Sequence, residues 1–142
     1  LSLERTRLET FREHFEAVAR DALTPEHLTR VLLTDGELGP EDLNLDTAER
    51  LRSAGPWGQD FPEPLFDGEF VLDDVRVMKD VHLKLTVRPG AGGRALEAVA
   101  FNQAAALAGA RPAGLRLVYR PDVNIYRGLS NLQLIVQHFE PL

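Results

Sequence analysis

Apolar residues recur at spacings of three and four near the start of the chain: Leu8, Phe11, Phe15, Val18 and Ala22. That period puts them on one face of a helix, with Arg5, Arg12, Glu13, Glu16 and Arg20 mostly turned away. Ser2 is a candidate N-cap, and Thr24-Pro25 is a stop signal. The run Arg30-Val31-Leu32-Leu33-Thr34, closed by Asp35-Gly36, predicts one short buried strand. A second helix is predicted over residues 45–54 and ends at Gly55-Pro56. Helix, strand and helix are too few elements to close a sheet. Residues 1–54 therefore read as the tail of an α/β domain whose remainder lies upstream.

Residues 55–64 hold three prolines and two glycines, the composition of a linker. Trp57 and Phe61 mark it as packed down, with Trp57 as a plug between the two halves. After it the hydrophobic period changes to two. Five strands are predicted, over residues 69–78, 81–88, 95–101, 114–120 and 131–139. Lys79-Asp80 makes a tight turn, residues 89–93 a glycine-rich hairpin loop, and residues 122–130 a second hairpin. The Ala-rich stretch 102–110 is helical in propensity. Three strands, a short helix and two strands is the element order of a five-stranded OB-fold β-barrel, although an SH3-like barrel has a similar strand count. The fold class expected is an α+β fragment: a partial α/β segment, then a barrel over 65–142.

Composition narrows the possible chemistry. The chain has 142 residues, 44% hydrophobic, enough to bury a core. It has no cysteine, which removes disulfides, zinc–thiolate sites and thiol nucleophiles. A cytoplasmic setting is expected, with no membrane role, because no run approaches the ~20 apolar residues of a span and no signal peptide is visible. The first residue is Leu1, so a piece of a longer protein is expected. Net charge is −6, but residues 1–64 hold 7 Lys/Arg against 14 Asp/Glu, whereas residues 65–142 hold 9 against 8. The acid belongs to the first half, and the barrel must be judged by where its bases point.

The second predicted strand is the most informative. Alternation sends Val81, Leu83, Leu85 and Val87 inward, and His82, Lys84, Thr86 and Arg88 outward. In OB-folds the outer face of strands two and three is a nucleic-acid groove, flanked by two hairpin loops. Lys84 and Arg88 would neutralise phosphates there, and His82 could stack on or hydrogen-bond a base. The same alternation also suits an ordinary solvated strand. Tyr126 beside Arg127 offers a stacking plane next to a cation, or a cover for the barrel end. Arg76 and Arg120 are further candidates.

No constellation suggests catalysis. Histidines 14, 27, 82 and 138 lack partners at metal-ligand spacing. Asp73 and Asp74 are expected on opposite faces of a strand, where they cannot share a metal. Residues 90–93 are glycine-rich but lead into a strand, with no Lys-Ser/Thr after them, a poor phosphate loop.

Several segments resemble a known family. In order they are Gly55-Pro-Trp-Gly-Gln-Asp-Phe-Pro-Glu-Pro-Leu-Phe66, His82-Leu-Lys-Leu85, Ala98-Val-Ala-Phe-Asn102, Tyr119-Arg-Pro-Asp-Val-Asn124, Tyr126-Arg-Gly128 and Leu132-Gln-Leu-Ile135. Together they resemble the C-terminal part of the RecJ family of bacterial single-strand-specific exonucleases. This covers roughly residues 55–142, and residues 1–54 resemble the end of the family's DHHA1 domain. The resemblance implies three segments: 1–54 as the tail of a DHHA1-like domain, 55–64 as a packed linker, and 65–142 as a nucleic-acid-binding OB-fold.

The resemblance also implies a parent enzyme that degrades single-stranded DNA from the 5′ end in repair and recombination. Its Mn2+ or Mg2+ would sit in a DHH domain upstream, none of whose ligands is in this chain. Single-stranded DNA is the implied partner, gripped by Arg76, His82, Lys84, Arg88, Tyr126 and Arg127. The alternative is an interaction module. It would dock a partner such as a single-strand-binding protein, or brace the upstream DHH and DHHA1 domains, with Val118 and Ile135 as its exposed apolar surface. An enzyme complete within this chain is discounted, because no nucleophile, base and metal set can be assembled.

Overall fold

The computed structural model describes residues 4–24, 31–90, 92–107 and 109–142. The chain divides into two compact units, Leu1–Leu32 and Leu33–Leu142.

In the first unit the period of three and four forms helix α1, Leu8–Ala22, preceded by a 3-10 turn at Arg5–Arg7. Its polar side carries the pairs Glu16–Arg20 at 2.8 Å and Glu9–Arg12 at 3.8 Å. Its apolar side carries Phe11 and Phe15, stacked at 5.8 Å, yet none of its residues is buried. Ser2, Pro25, His27 and Arg30 lie outside the described residues.

The strand expected at residues 30–34 is not formed over 31–34. Val31 is 70% and Leu33 83% exposed. A strand needs a ladder partner, and among the described residues this run has none. The first pairing comes just after it. The Asp35 N–H donates to Leu65 O at 2.6 Å and the Asp67 N–H to Gly36 O at 3.0 Å.

Helix α2 spans Leu45–Ser53. Asn44 caps it, its side-chain oxygen accepting from the Thr47 N–H at 2.9 Å. Ala48 and Leu43 sit in the barrel's hydrophobic cluster, and α2 packs on the fourth and fifth strands. The unit holding the barrel thus starts at Leu33, earlier than the start at residue 65 read from composition. The linker folds back on α2. Trp57 Nε1–H donates to Leu51 O at 3.0 Å, and the Trp57 ring stacks on Phe61 at 4.9 Å.

The barrel strands are β1 (Phe66–Met78), β2 (His82–Pro89), β3 (Leu96–Ala100), β4 (Gly114–Tyr126) and β5 (Leu129–Pro141). They close in the order β1-β2-β3-β5-β4, with β3 and β5 parallel and the other pairs antiparallel. This is the OB-fold closure expected from the element order. Leu83, Leu85 and Val87 of β2 meet Leu115, Leu117 and Tyr119 of β4 and Leu134 of β5 in a fully buried core. Each such aliphatic side chain contributes about 1.5–3 kcal/mol by leaving water. Val81, expected inside, is exposed, because it belongs to the turn before β2. That turn is tight, with Lys79 and Asp80 both at positive φ (48° and 61°). Helix α3 is a single turn, Ala104–Leu107, shorter than the 102–110 expected. Asn102 at φ 56° and Gly109 at φ 80° break the helical path on either side of it. Among the described residues no helix is long and apolar enough to cross a membrane.

The largest departure from expectation lies between the last two strands. Residues 122–130, expected as a hairpin loop, are almost entirely strand. β4 and β5 pair without a break from Asp122↔Gln133 to Tyr126↔Leu129. Only Arg127 and Gly128, at φ 51° and 79°, form the turn. Two left-handed residues match the twist of a two-stranded ribbon.

Candidate nucleic-acid interface

The ribbon, the β3 start and the exposed face of β2 enclose a cleft of about 760 Å³. Lys84 lies on its β2 wall, Arg94 and Glu97 at the β3 wall, and Asn124, Tyr126 and Asn131 on the ribbon. Asn124 and Asn131 are directly opposite in register. Cross-strand partners share a face, so their amides project to the same side as Tyr126. Tyr126 is 62% exposed, and the Arg127 guanidinium lies 5.2 Å from its ring centroid.

Of the six residues read from sequence, Lys84 and Tyr126 meet in this cleft. Arg127 stands beside Tyr126 at the ribbon tip. The other three lie elsewhere on the barrel. His82 accepts a hydrogen bond at Nδ1 from the Asn102 N–H at 3.0 Å, and its ring meets Phe101 edge-on at 5.3 Å. Arg88 donates twice to Asp73, at 2.7 and 2.8 Å. Arg76 donates to Asp74 at 2.9 Å.

Charge on the β1–β2 face is therefore largely compensated. The Arg88 fork holds the Asp73 carboxyl below the usual carboxylate range, and Arg76 does the same for Asp74. Asp73 in turn raises Arg88 above the ordinary guanidinium value. Lys84 Nζ lies 2.7 Å from Glu97 Oε1. Arg120 is tied to Glu63 of the linker.

A β-bulge accounts for the behaviour of the two acids. The β1–β2 register slips between Leu72 and Asp74, leaving Asp73 as the extra residue. Consecutive acids then both reach cations of the outer face, instead of dividing between faces as simple alternation requires. Among the described residues no group of three or more His, Asp or Glu side chains could hold a metal.

The apolar surface expected at Val118 and Ile135 is not an exposed one. Ile135 is 8% exposed, flanked in register by buried Val99 and by Arg120, and Val118 is half-buried. Sequence reading had missed Arg94, Glu97, Asn124 and Asn131. Arg94 directly follows Gly92-Gly93, and Asn124 alternates with Val123 and Ile125 along the ribbon. Reading 122–130 as a loop hid that alternation.

A family model described as "RecJ OB domain" matches residues 34–138. The chain belongs to this family. Its compact unit of residues 33–142 coincides closely with the RecJ OB domain match. Curated relatives named single-stranded-DNA-specific exonuclease RecJ include that of Dickeya dadantii, 43% identical, and that of Escherichia coli, 40% identical. Each aligns with all of this chain, which spans about a quarter (25%) of their length. Among solved structures, RecJ from Thermus thermophilus in complex with Mn2+ superposes with a TM-score of 0.71. That likeness, at 19% identity over 100% of this chain and 20% of the Thermus chain, is one of fold.

Proposed function

We propose that this chain is the strand-holding part of a RecJ-like 5′-to-3′ single-strand-specific exonuclease, working in DNA repair and recombination in the cytoplasm. Its role is grip rather than cleavage. The Mn2+- or Mg2+-dependent chemistry belongs to a DHH domain upstream, and residues 1–54 are the tail of a DHHA1-like domain. The observation that carries this reading is the cleft itself, where an exposed tyrosine on the ribbon faces a lysine on β2.

Tyr126 supplies a stacking plane for an unpaired base, and base–aromatic stacking contributes roughly 1–3 kcal/mol per base. Lys84, Arg94 and Arg127 supply positive charge for the backbone. Arg76, His82 and Arg88 lie beyond the cleft on β1 and β2, where Arg76 and Arg88 reach a phosphate only by exchanging their carboxylate partners. A duplex has its bases already stacked and paired, so it offers nothing for Tyr126 to hold.

The test is fluorescence anisotropy of a labelled single-stranded oligonucleotide at two salt concentrations, with Lys84→Glu and Tyr126→Ala alongside. Binding that weakens with salt and is lost in the variants is expected. Salt-independent binding, or binding indifferent to both substitutions, would overturn the reading.

A further inference from the structure

The cleft contains a group that a phosphate track should avoid. Glu97 lines it, half-exposed, with Lys84 Nζ on its Oε1 at 2.7 Å. Its other carboxylate oxygen has no partner among the described residues. A carboxylate repels phosphate and can accept hydrogen bonds but not donate them. Single-stranded nucleic acid offers such a group the N–H donors of its base edges, among them the exocyclic amines. Across the cleft stand Asn124 and Asn131, paired in register, whose amides both donate and accept. Tyr126, on the same side of the ribbon, gives the base a face to lie on. A cleft of about 760 Å³ is within the ordinary size of a small-ligand pocket.

We propose that this cleft reads a base, and that it prefers cytosine, through Glu97. This rests on the single-strand reading above and adds selectivity to it. The base stacks on Tyr126. Its 4-amino group donates to Glu97, and its 2-carbonyl oxygen accepts from an asparagine amide of the ribbon. Lys84 holds the carboxylate in place and offsets its charge against the neighbouring phosphate. Uracil carries a 4-carbonyl where cytosine carries the amine, so it sets oxygen against oxygen at Glu97.

Deoxycytidine and deoxyuridine homo-oligonucleotides of equal length isolate that one difference. They are compared by anisotropy with the 142-residue chain, in mildly alkaline buffer where cytosine stays neutral. The wild type is expected to bind the cytidine oligomer roughly 3- to 10-fold more tightly, the scale of one hydrogen bond gained against one unmet acceptor. Glu97→Gln should bring the two affinities together, because an amide can meet either group, and should tighten uridine binding. The melting temperature of the variant checks that it is folded. Equal affinities in the wild type, or a preference that survives Glu97→Gln, would overturn the proposal and leave single-strand binding intact. If neither oligomer binds at low salt, the single-strand reading fails, and base preference with it.

Discussion

Two cationic regions of the barrel differ in what their charges already do. On the β1–β2 face, Arg88 and Arg76 are each held by a β1 carboxylate at hydrogen-bond distance. At the ribbon tip, Arg127 rests on the Tyr126 ring and meets no carboxylate among the described residues. Both regions would look alike in a count of Lys and Arg. The difference teaches that charge becomes available through pairing geometry, which long-range contacts decide. A phosphate approaching Arg88 must displace Asp73, whereas one approaching Arg127 displaces water.

Both regions depend on one core, so the largest effect tests that shared support. Leu85→Ala, at a fully buried position, should cost about 2–5 kcal/mol in urea unfolding. A near-neutral result would mean that the two regions do not share a packed base. Next, Tyr126→Ala should weaken single-strand binding by about 1–3 kcal/mol, while Tyr126→Phe keeps most of it. Equal loss in both would shift the effect from the ring to the hydroxyl.

The comparison is sharpened by salt titration. Arg127→Ala should lower the log–log salt slope by about 0.7, the value of one phosphate contact on a single strand. Arg88→Ala alone should leave the slope nearly unchanged, and Asp73→Asn should raise it by releasing Arg88. If Arg88→Ala moves the slope as far as Arg127→Ala does, the distinction between the regions collapses.

The smallest effect is read by carboxyl NMR. The Asp73 midpoint should lie below the ordinary Asp value of about 3.9 and return towards it in Arg88→Ala. A carboxyl depressed in the folded state stabilises that state above the unfolded value, and the benefit fades as pH falls through the folded one. Acid, not alkali, should therefore loosen the Asp73–Arg88 clasp.

Local pattern revealed the barrel more completely than the site. The alternation of β2 placed Leu83, Leu85 and Val87 inside and Lys84 and Arg88 outside, as the structure has them. Lys79-Asp80 announced its own turn. Residues 122–130 misled because Asn, Arg, Gly and Ser are common in loops, although the alternation Val123-Asn124-Ile125-Tyr126 continues to the tip. The Asp73 bulge has no mark in the sequence, since it exists only against the register of β2. The pairs Asp73–Arg88 and Lys84–Glu97 join residues 15 and 13 positions apart, and no spacing rule for strands announces them. Helix α1 shows the complementary limit: its period brings Phe11 and Phe15 together, yet none of the helix's residues is buried.

The ribbon also has a mechanical meaning. Leu132, opposite Val123, is anchored in the core, while Tyr126 and Leu129 stand at the outer end. Three residue steps separate clamp from tip, an overhang of about 10 Å. Such a cantilever carries its load at the root. A tilt of about 10° at Val123 and Leu132 swings the tip by about 2 Å over that overhang. The clearance between Tyr126 and the β2 wall is thus set by side-chain packing at the root of the lever, where Leu132 joins the core to the floor of the cleft.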